Sequence, residues 1–449
     1  MRDVLSIGCK GKDMKRITVI VLSVVMICFS VLSVSAVDYK CDAETVSDAV
    51  YLENLSAGAV VYEKNADQKS YPASTTKIMT FIVTAENVSD LEHTNVTVRQ
   101  DLIGGLDPES TVMGLSAHIG AQVSVKDLLY GLMLPSGNDA ALVLADYVGG
   151  GIAGFVAKMN AKAAELGCEN THFANPHGLF DTDHYSTARD MALIAKYAMT
   201  LPDFMEICNT VYYTPEGFNT LLNTNYMLDP DAEGGAYYYQ YTQGIKTGYL
   251  DEAGKCLVTS ADKNGDRYLC VCLGARFSYE ENVNYAMKDT AKLYGWAYEN
   301  LGVQTIYGTE DSLASVDVKY VRNGRIVNAV PEKAVTAFLP NQYDKDKLKV
   351  EINCAEQVEA PVTKGDVLGT VSVQYEDLDL GVTNLLAAED IERDISPLEV
   401  FVTEHMTLII ISAAALVLII ILIILLTSAR KRRKARRRSR ARKGRRFRD

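Results

Sequence analysis

Tyr71-Pro-Ala-Ser-Thr-Thr-Lys-Ile-Met-Thr80 sets a serine three residues ahead of a lysine, at the start of a helix expected over 77–86. Residues three apart share a helix face, so the Lys77 amine can reach the Ser74 hydroxyl. A lysine kept partly neutral by burial and by nearby cations can take that hydroxyl's proton. A serine at a helix start also has a backbone N–H and the positive end of the helix dipole beside it, where an oxyanion would develop. Alone, the Ser-x-x-Lys pattern is weak, because it recurs at Ser260 and, in a basic tail, at Ser428.

Two further pieces follow in order, each present once. Ser136-Gly-Asn138 lies between helices expected over 125–134, stopped by Pro135, and 139–147, ended by Gly149-Gly-Gly151. A hydroxyl in such a turn can relay a proton to a leaving amine, and the Asn138 amide can hold a peptide carbonyl or bridge to Lys77. Taken alone, this piece reads as an asparagine-capped turn. Lys246-Thr-Gly248 lies on a strand. Alternation puts Lys246 and Gly248 on one face and Thr247 on the other, so strand geometry alone does not bring both Lys246 and Thr247 into a cleft. A cation and a hydroxyl suit a substrate carboxylate, and Gly248 at a cleft edge lets a substrate backbone come close. The ordered set is far more specific than any member.

The surrounding pattern gives an α+β unit. Strands are expected over 49–54 and 59–63, joined as a hairpin, and over 244–248, 255–261 and 267–276, with a turn at 261–266. Helices are expected between them, also over 155–166 and 187–199, and a closing amphipathic helix over 286–301. From residue 304 to 395 only short strands follow, at 315–321, 325–330, 335–339, 348–353, 358–362 and 367–375, the pattern of a small all-β sandwich domain. The Tyr-rich segment 229–241 reads either as a lid or partner surface or as an exposed insertion.

The ends of the chain place it. Met14-Lys-Arg16, the apolar run 17–32 and Ser33-Val-Ser-Ala36 have the order of a secretory signal, so 1–36 is expected to be removed and 37–303 to form the first domain. Residues 396–406 are a linker. Residues 407–427 carry no charge, and 21 helical residues span about 31 Å, enough for a bilayer core. The tail 428–449 carries fourteen basic residues and one acidic, and the first 36 residues carry five basic and two acidic. The net charge of −12 therefore leaves −28 for residues 37–429. A basic flank stays in the cytoplasm, so the expected topology is a single-pass protein of the bacterial cell membrane with its acidic body outside and its C-terminus inside. The basic run after a span suits anionic lipid, and the acidic body argues against nucleic acid. Of nine cysteines, seven lie beyond the signal, an odd number that leaves at least one thiol free. Cys270 and Cys272 alternate on one strand and read as core thiols. No spacing suggests a metal site or a cofactor.

The motifs resemble those of the low-molecular-mass penicillin-binding D-alanyl-D-alanine carboxypeptidases, serine peptidases of the S11 type. Leu134-Pro-Ser-Gly-Asn-Asp-Ala-Ala141, Asn175-Pro-His-Gly-Leu179, His184-Tyr-Ser-Thr-Ala-Arg-Asp-Met-Ala192 and Gly244-Ile-Lys-Thr-Gly248 are similar to family blocks, and the likeness runs from about residue 45 to 388. The resemblance implies a β-lactamase/transpeptidase-like antiparallel sheet with a helical cluster. It implies Ser74 as the acylated nucleophile, Lys77 as its base and Ser136 as proton shuttle. Asn138 would position the substrate, with Lys246, Thr247 and Gly248 around its terminal carboxylate. Arg276 would be an electrostatic helper, and the N–H groups of Ser74 and Tyr249 the oxyanion hole. The substrate would be the D-Ala-D-Ala end of the peptidoglycan stem pentapeptide, with β-lactams as covalent inhibitors and no cofactor. Arg189 and His177 match positions around the cleft, where a structural role is as good a reading. The chain departs from the family pattern at Gln243 and at Leu250. A class A-like serine β-lactamase is the rival reading, but the Glu-x-x-Leu-Asn piece for rapid deacylation is missing between Asn138 and Lys246, and the β domain counts against it. A non-catalytic penicillin-binding wall sensor is the third.

Overall fold

The computed structural model describes residues 37, 39–277, 280 and 282–445; the expected signal, 1–36, lies outside the described residues. The chain divides into two units. The first runs to Gln304 and takes in Phe338–Lys345, and the second holds Thr305–Ala337 and the residues from Asp346 onward.

The first unit is built on five antiparallel strands: β1 (Ala49–Asn54), β2 (Ala59–Lys64), β3 (Thr242–Leu250), β4 (Gly254–Lys263) and β5 (Asp266–Ala275). Their spatial order is β2-β1-β5-β4-β3. The first hairpin thus pairs with the last strand, Val50 opposite Cys272. The β4–β5 turn uses Asn264 and Gly265, both at positive φ (58° and 89°), the backbone that a two-residue hairpin with the right twist requires. Residues 268–273 of β5 are buried without alternation, which means both sheet faces are covered. Helices α5 (Ala188–Ala198) and α6 (Tyr285–Asn300) pack on this strand. Cys270 and Cys272 are fully buried, with sulfurs 3.8 Å apart. All seven described cysteines are free.

Helix α1 (Lys77–Asn87) is the hub of the helical cluster. It touches α2 (Val125–Met133), α3 (Asn138–Gly149), α4 (Ile152–Glu165) and α5. Its first eight residues are all buried, as a helix surrounded on every side must be. The two threonines inside it are satisfied by backbone carbonyls: Thr80 donates to Pro176 at 2.5 Å and Thr84 to Thr80 at 2.8 Å.

The Tyr-rich segment is packed rather than a free insertion. Tyr239 lies against Tyr294 of α6, and Tyr241 against Tyr298, which also meets Tyr268 of β5. Tyr238 remains exposed.

In the second unit six strands form one sheet in the order Leu348–Cys354, Val367–Tyr375, Leu378–Ala387, Arg325–Pro331, Ala314–Lys319, Gln357–Glu359. Strand Leu378–Ala387 was not expected. Its turn from the preceding strand uses Glu376 at φ 52° and Asp377, without the glycine or asparagine that normally marks such a hairpin. After a helix over Pro397–Glu404, started by a Ser396–Glu399 capping box, one helix runs over Met406–Arg445. It contains the apolar 407–427 and is the one described helix long and apolar enough by itself to cross a membrane.

Candidate active site

Ser74 sits in a single 3-10 turn, Ala73–Thr76, that leads directly into α1. Lys77 follows at the first position of α1 and is completely buried. Its Nζ lies 2.9 Å from Ser74 Oγ, 2.7 Å from Asn138 Oδ1 and 2.7 Å from the carbonyl of His177. Burial, and then the positive charge of Lys246, pull its pKa well below the ordinary lysine value, against a smaller opposing pull from Asp139. The Lys77 amine donates to Asn138 Oδ1, to the His177 carbonyl and to Ser74 Oγ; once deprotonated it would keep the first two and turn its lone pair to the serine hydroxyl.

The turn is held from below. Gly178, at φ 86°, passes so close that a Cβ there would lie 1.9 Å from the Ala73 carbonyl oxygen, so only glycine fits. Asn175 ties that loop together, accepting from the Gly178 N–H at 2.7 Å and donating to the Leu179 carbonyl at 2.9 Å. His184 Nδ1 accepts from the Ala174 N–H, and Nε2 lies 2.8 Å from Thr76 Oγ1. Burial lowers its pKa to about 4, so the ring is neutral and Nε2 carries the hydrogen toward Thr76. His177 is neutral for the same reason, at about 3, with Nδ1 accepting from the Leu179 N–H.

Ser136 occupies the turn before α3 at φ 65° and is buried. Its Oγ has no hydrogen-bond partner, although it lines the cleft. Asp139, which the sequence reading passed over as a neighbour of the cap, fixes this wall. It accepts from the N–H groups of Met113, Gly114 and Leu115 at 2.9–3.0 Å, which pins residues 113–115 against α3.

On the sheet side, Lys246 and Thr247 part as alternation requires, but Gly248 reaches the cleft beside Thr247 instead of going with Lys246. Thr247 and Gly248 line the cleft, whereas Lys246 is buried beneath it with Nζ donating to the Thr247 carbonyl at 3.1 Å. Burial lowers the Lys246 pKa to about 7. Gly248 serves a second purpose: a Cβ there would come within 3.0 Å of the Ser74 nitrogen. Its bareness lets β3 lie against the Ser74 turn. Thr224, which no sequence pattern singled out, lines the cleft with its Oγ1 2.5 Å from Thr247 Oγ1. Its neighbour Asn225 bonds the Gly244 carbonyl at 2.6 Å.

The cleft has a volume of about 380 Å³ and joins Ser74, Ser136, Asn138, Thr247, Gly248 and Tyr249. Arg276 is exposed, lies over the Tyr285 ring at 5.2 Å and is not among the cleft-lining residues. Arg189 pairs with Glu63 and Asp67 on the surface. The two departures separate: Leu250 lines the cleft, whereas Gln243 lines a different cavity with Leu55 and Lys196. Among the described residues no cluster of potential metal ligands occurs.

A serine paired with a buried, deprotonation-prone lysine, an open hydroxyl and a strand-borne Lys-Thr-Gly define a serine acyl-transfer site. The D-alanyl-D-alanine carboxypeptidase family model (peptidase S11) matches residues 36–277, and a penicillin-binding protein 5 C-terminal domain model matches 303–393. D-alanyl-D-alanine carboxypeptidase DacF of Bacillus subtilis is 29% identical over 85% of this chain and 95% of its own. DacA of Haemophilus influenzae is 30% identical over 84% and 94%. The crystal structure of penicillin-binding protein 5 from Haemophilus influenzae superposes with a TM-score of 0.56, covering 78% of this chain and 98% of its own at 28% identity. The chain belongs to the peptidase S11 family of D-alanyl-D-alanine carboxypeptidases, serine peptidases that act on peptidoglycan D-Ala-D-Ala termini and bind penicillins.

Proposed function

We propose that this enzyme removes the terminal D-alanine of a peptidoglycan stem pentapeptide through an ester on Ser74. The observation that carries the assignment is the fully buried Lys77 amine at 2.9 Å from Ser74 Oγ. Neutral Lys77 takes the hydroxyl proton as Oγ attacks the carbonyl of the penultimate alanine. The N–H groups of Ser74 and Tyr249 receive the oxyanion. The C–N bond then breaks. The proton held by Lys77 reaches the departing amine through the Ser136 hydroxyl, whose lack of a fixed partner leaves it able to turn. Water, deprotonated by Lys77, hydrolyses the ester and regenerates Ser74. Asn138 holds both Lys77 and the substrate backbone, and Thr247 binds the terminal carboxylate above the Lys246 charge. Gly248 keeps that edge open, and Arg276 contributes long-range positive charge.

The apolar helix would anchor the protein in the bilayer, with the basic tail on the cytoplasmic side and the catalytic unit outside. Detergent-solubilised full-length chain should convert a pentapeptide ending in D-Ala-D-Ala to the tetrapeptide by mass spectrometry. It should also carry a penicillin adduct on Ser74. Ser74→Ala should lower D-alanine release by at least about 10³-fold and abolish the adduct. Absence of the tetrapeptide, or labelling that persists in Ser74→Ala, would overturn the assignment.

A further inference from the structure

The sheet-side wall of the cleft holds a cation that none of these steps uses. Lys255 of β4 is the cross-strand partner of Tyr249 and lines the same cleft as Ser74. Its Nζ lies 4.0 Å from the centre of the Tyr249 ring and 4.2 Å from that of Phe277. The two rings meet edge to face at 5.3 Å. Attraction of the ammonium to both π faces fixes its position. The side chain is half-buried, and burial lowers its pKa from the ordinary lysine value. Among the described residues it has no carboxylate partner. A cation held in place, partly desolvated and not neutralised, is a receptor for an anion. The cleft also holds exposed Glu109, from the loop preceding α2, so its lining is not uniformly positive and Lys255 marks where an anion is favoured.

The position decides which part of a substrate it meets. With the terminal carboxylate at Thr247, the retained part of the peptide runs along Gly248 and Leu250. Tyr249 lies two residues beyond Thr247, about 7 Å at the rise of a strand. That is one to two peptide units upstream of the broken bond. We propose that Lys255 reads a carboxylate on the retained stem, which makes it a specificity-determining residue favouring stems that are acidic at that point. The inference rests on the carboxypeptidase reading above. Two sources have the same chemistry: the side chain of the third stem residue, and the free main-chain carboxylate of a second residue linked through its side chain.

The test uses the full chain in detergent and synthetic pentapeptides ending in D-Ala-D-Ala. Each of the two carboxylates is left free or converted to the amide. The expected result is a kcat/KM about tenfold higher for the acidic form at one of the two positions, the size of one charge-assisted contact. Which amide removes the preference identifies the source. Lys255→Met should collapse the acidic-to-amide ratio toward unity, and Lys255→Arg should retain it. Penicillin labelling of Lys255→Met reports an intact site. An equal rate on acidic and amidated stems in the parent enzyme, or a ratio that survives in Lys255→Met, overturns the proposal. If the parent enzyme cleaves none of the four peptides, the carboxypeptidase reading itself fails, and this inference with it.

Discussion

The two units bury different chemistry. Every buried polar or charged side chain among the described residues lies between Ser47 and Thr290. The core of the second unit consists of apolar residues such as Val316, Val327, Val371, Val373 and Leu385. An apolar core needs only shape, whereas each buried polar group needs a partner. The first unit supplies partners mostly from the backbone. Asp139 holds three N–H groups, and Asp289 accepts from the N–H groups of Val46 and Ser47 and from the Ser47 hydroxyl. Two of the few buried side-chain atoms left without a partner, in Ser110 and Ser136, line the cleft. Polar groups are left open where a substrate would enter.

The sharpest way to break this contrast is to remove a polar anchor from one core and an apolar one from the other. Asp139→Ala strands the N–H groups of Met113, Gly114 and Leu115 and removes a fourth bond, from the Ala140 N–H. It should destabilise the first unit by about 3 kcal/mol and slow penicillin acylation, measured by urea unfolding and by labelling rate. Leu385→Ala should cost the second unit a similar amount, about 3 kcal/mol, yet leave the acylation rate unchanged below the unfolding temperature. If Leu385→Ala slows acylation as much as Asp139→Ala does, the two cores are not separable in function.

A smaller effect should appear in the pH profile. Lys77 must be neutral to act as base, so acylation falls as pH drops through its depressed folded-state pKa. The positive charge of Lys246 contributes to that depression. Lys246→Gln removes it, raises the Lys77 pKa, and should move the acid limb of the acylation profile to higher pH by about one unit. In the parent enzyme, carboxylate binding should weaken as pH rises through about 7, where Lys246 gives up its proton. An acid limb that stays in place in Lys246→Gln would mean that Lys246 does not set the base. The smallest effect belongs to Arg189. Its pairs with Glu63 and Asp67 are partly exposed, so Arg189→Ala should change stability by less than about 1 kcal/mol and leave the pH profile alone.

Much of the site was legible because its residues are local. The three-residue spacing of Ser74 and Lys77 and the turn at Ser136–Asn138 follow from short stretches, and the five strands of the first unit's sheet stood out by pattern within one or two residues of their observed ends. Strand 378–387 was missed because its turn lacks the usual glycine or asparagine. Thr224 and Lys255 were missed because nothing near them in sequence marks them. They reach the cleft only when the 223–225 segment closes on β3 and when β4 pairs with it. Gln243 and Leu250 looked like equal departures, and only the folded sheet separates the one that touches the cleft from the one that does not.

By itself the sequence determined the class of reaction, the serine and lysine proposed as nucleophile and base, the order of the units and an apolar segment long enough to span a bilayer. Each is written in short-range spacing, charge or run length, which act before any long-range contact forms. Tertiary structure alone decided that the Lys77 amine is completely buried, that Lys246 lies beneath the cleft rather than within it, and that Lys255 lines the cleft. Those outcomes depend on desolvation and on the distance between charges, and both exist only after segments far apart in the chain have packed together.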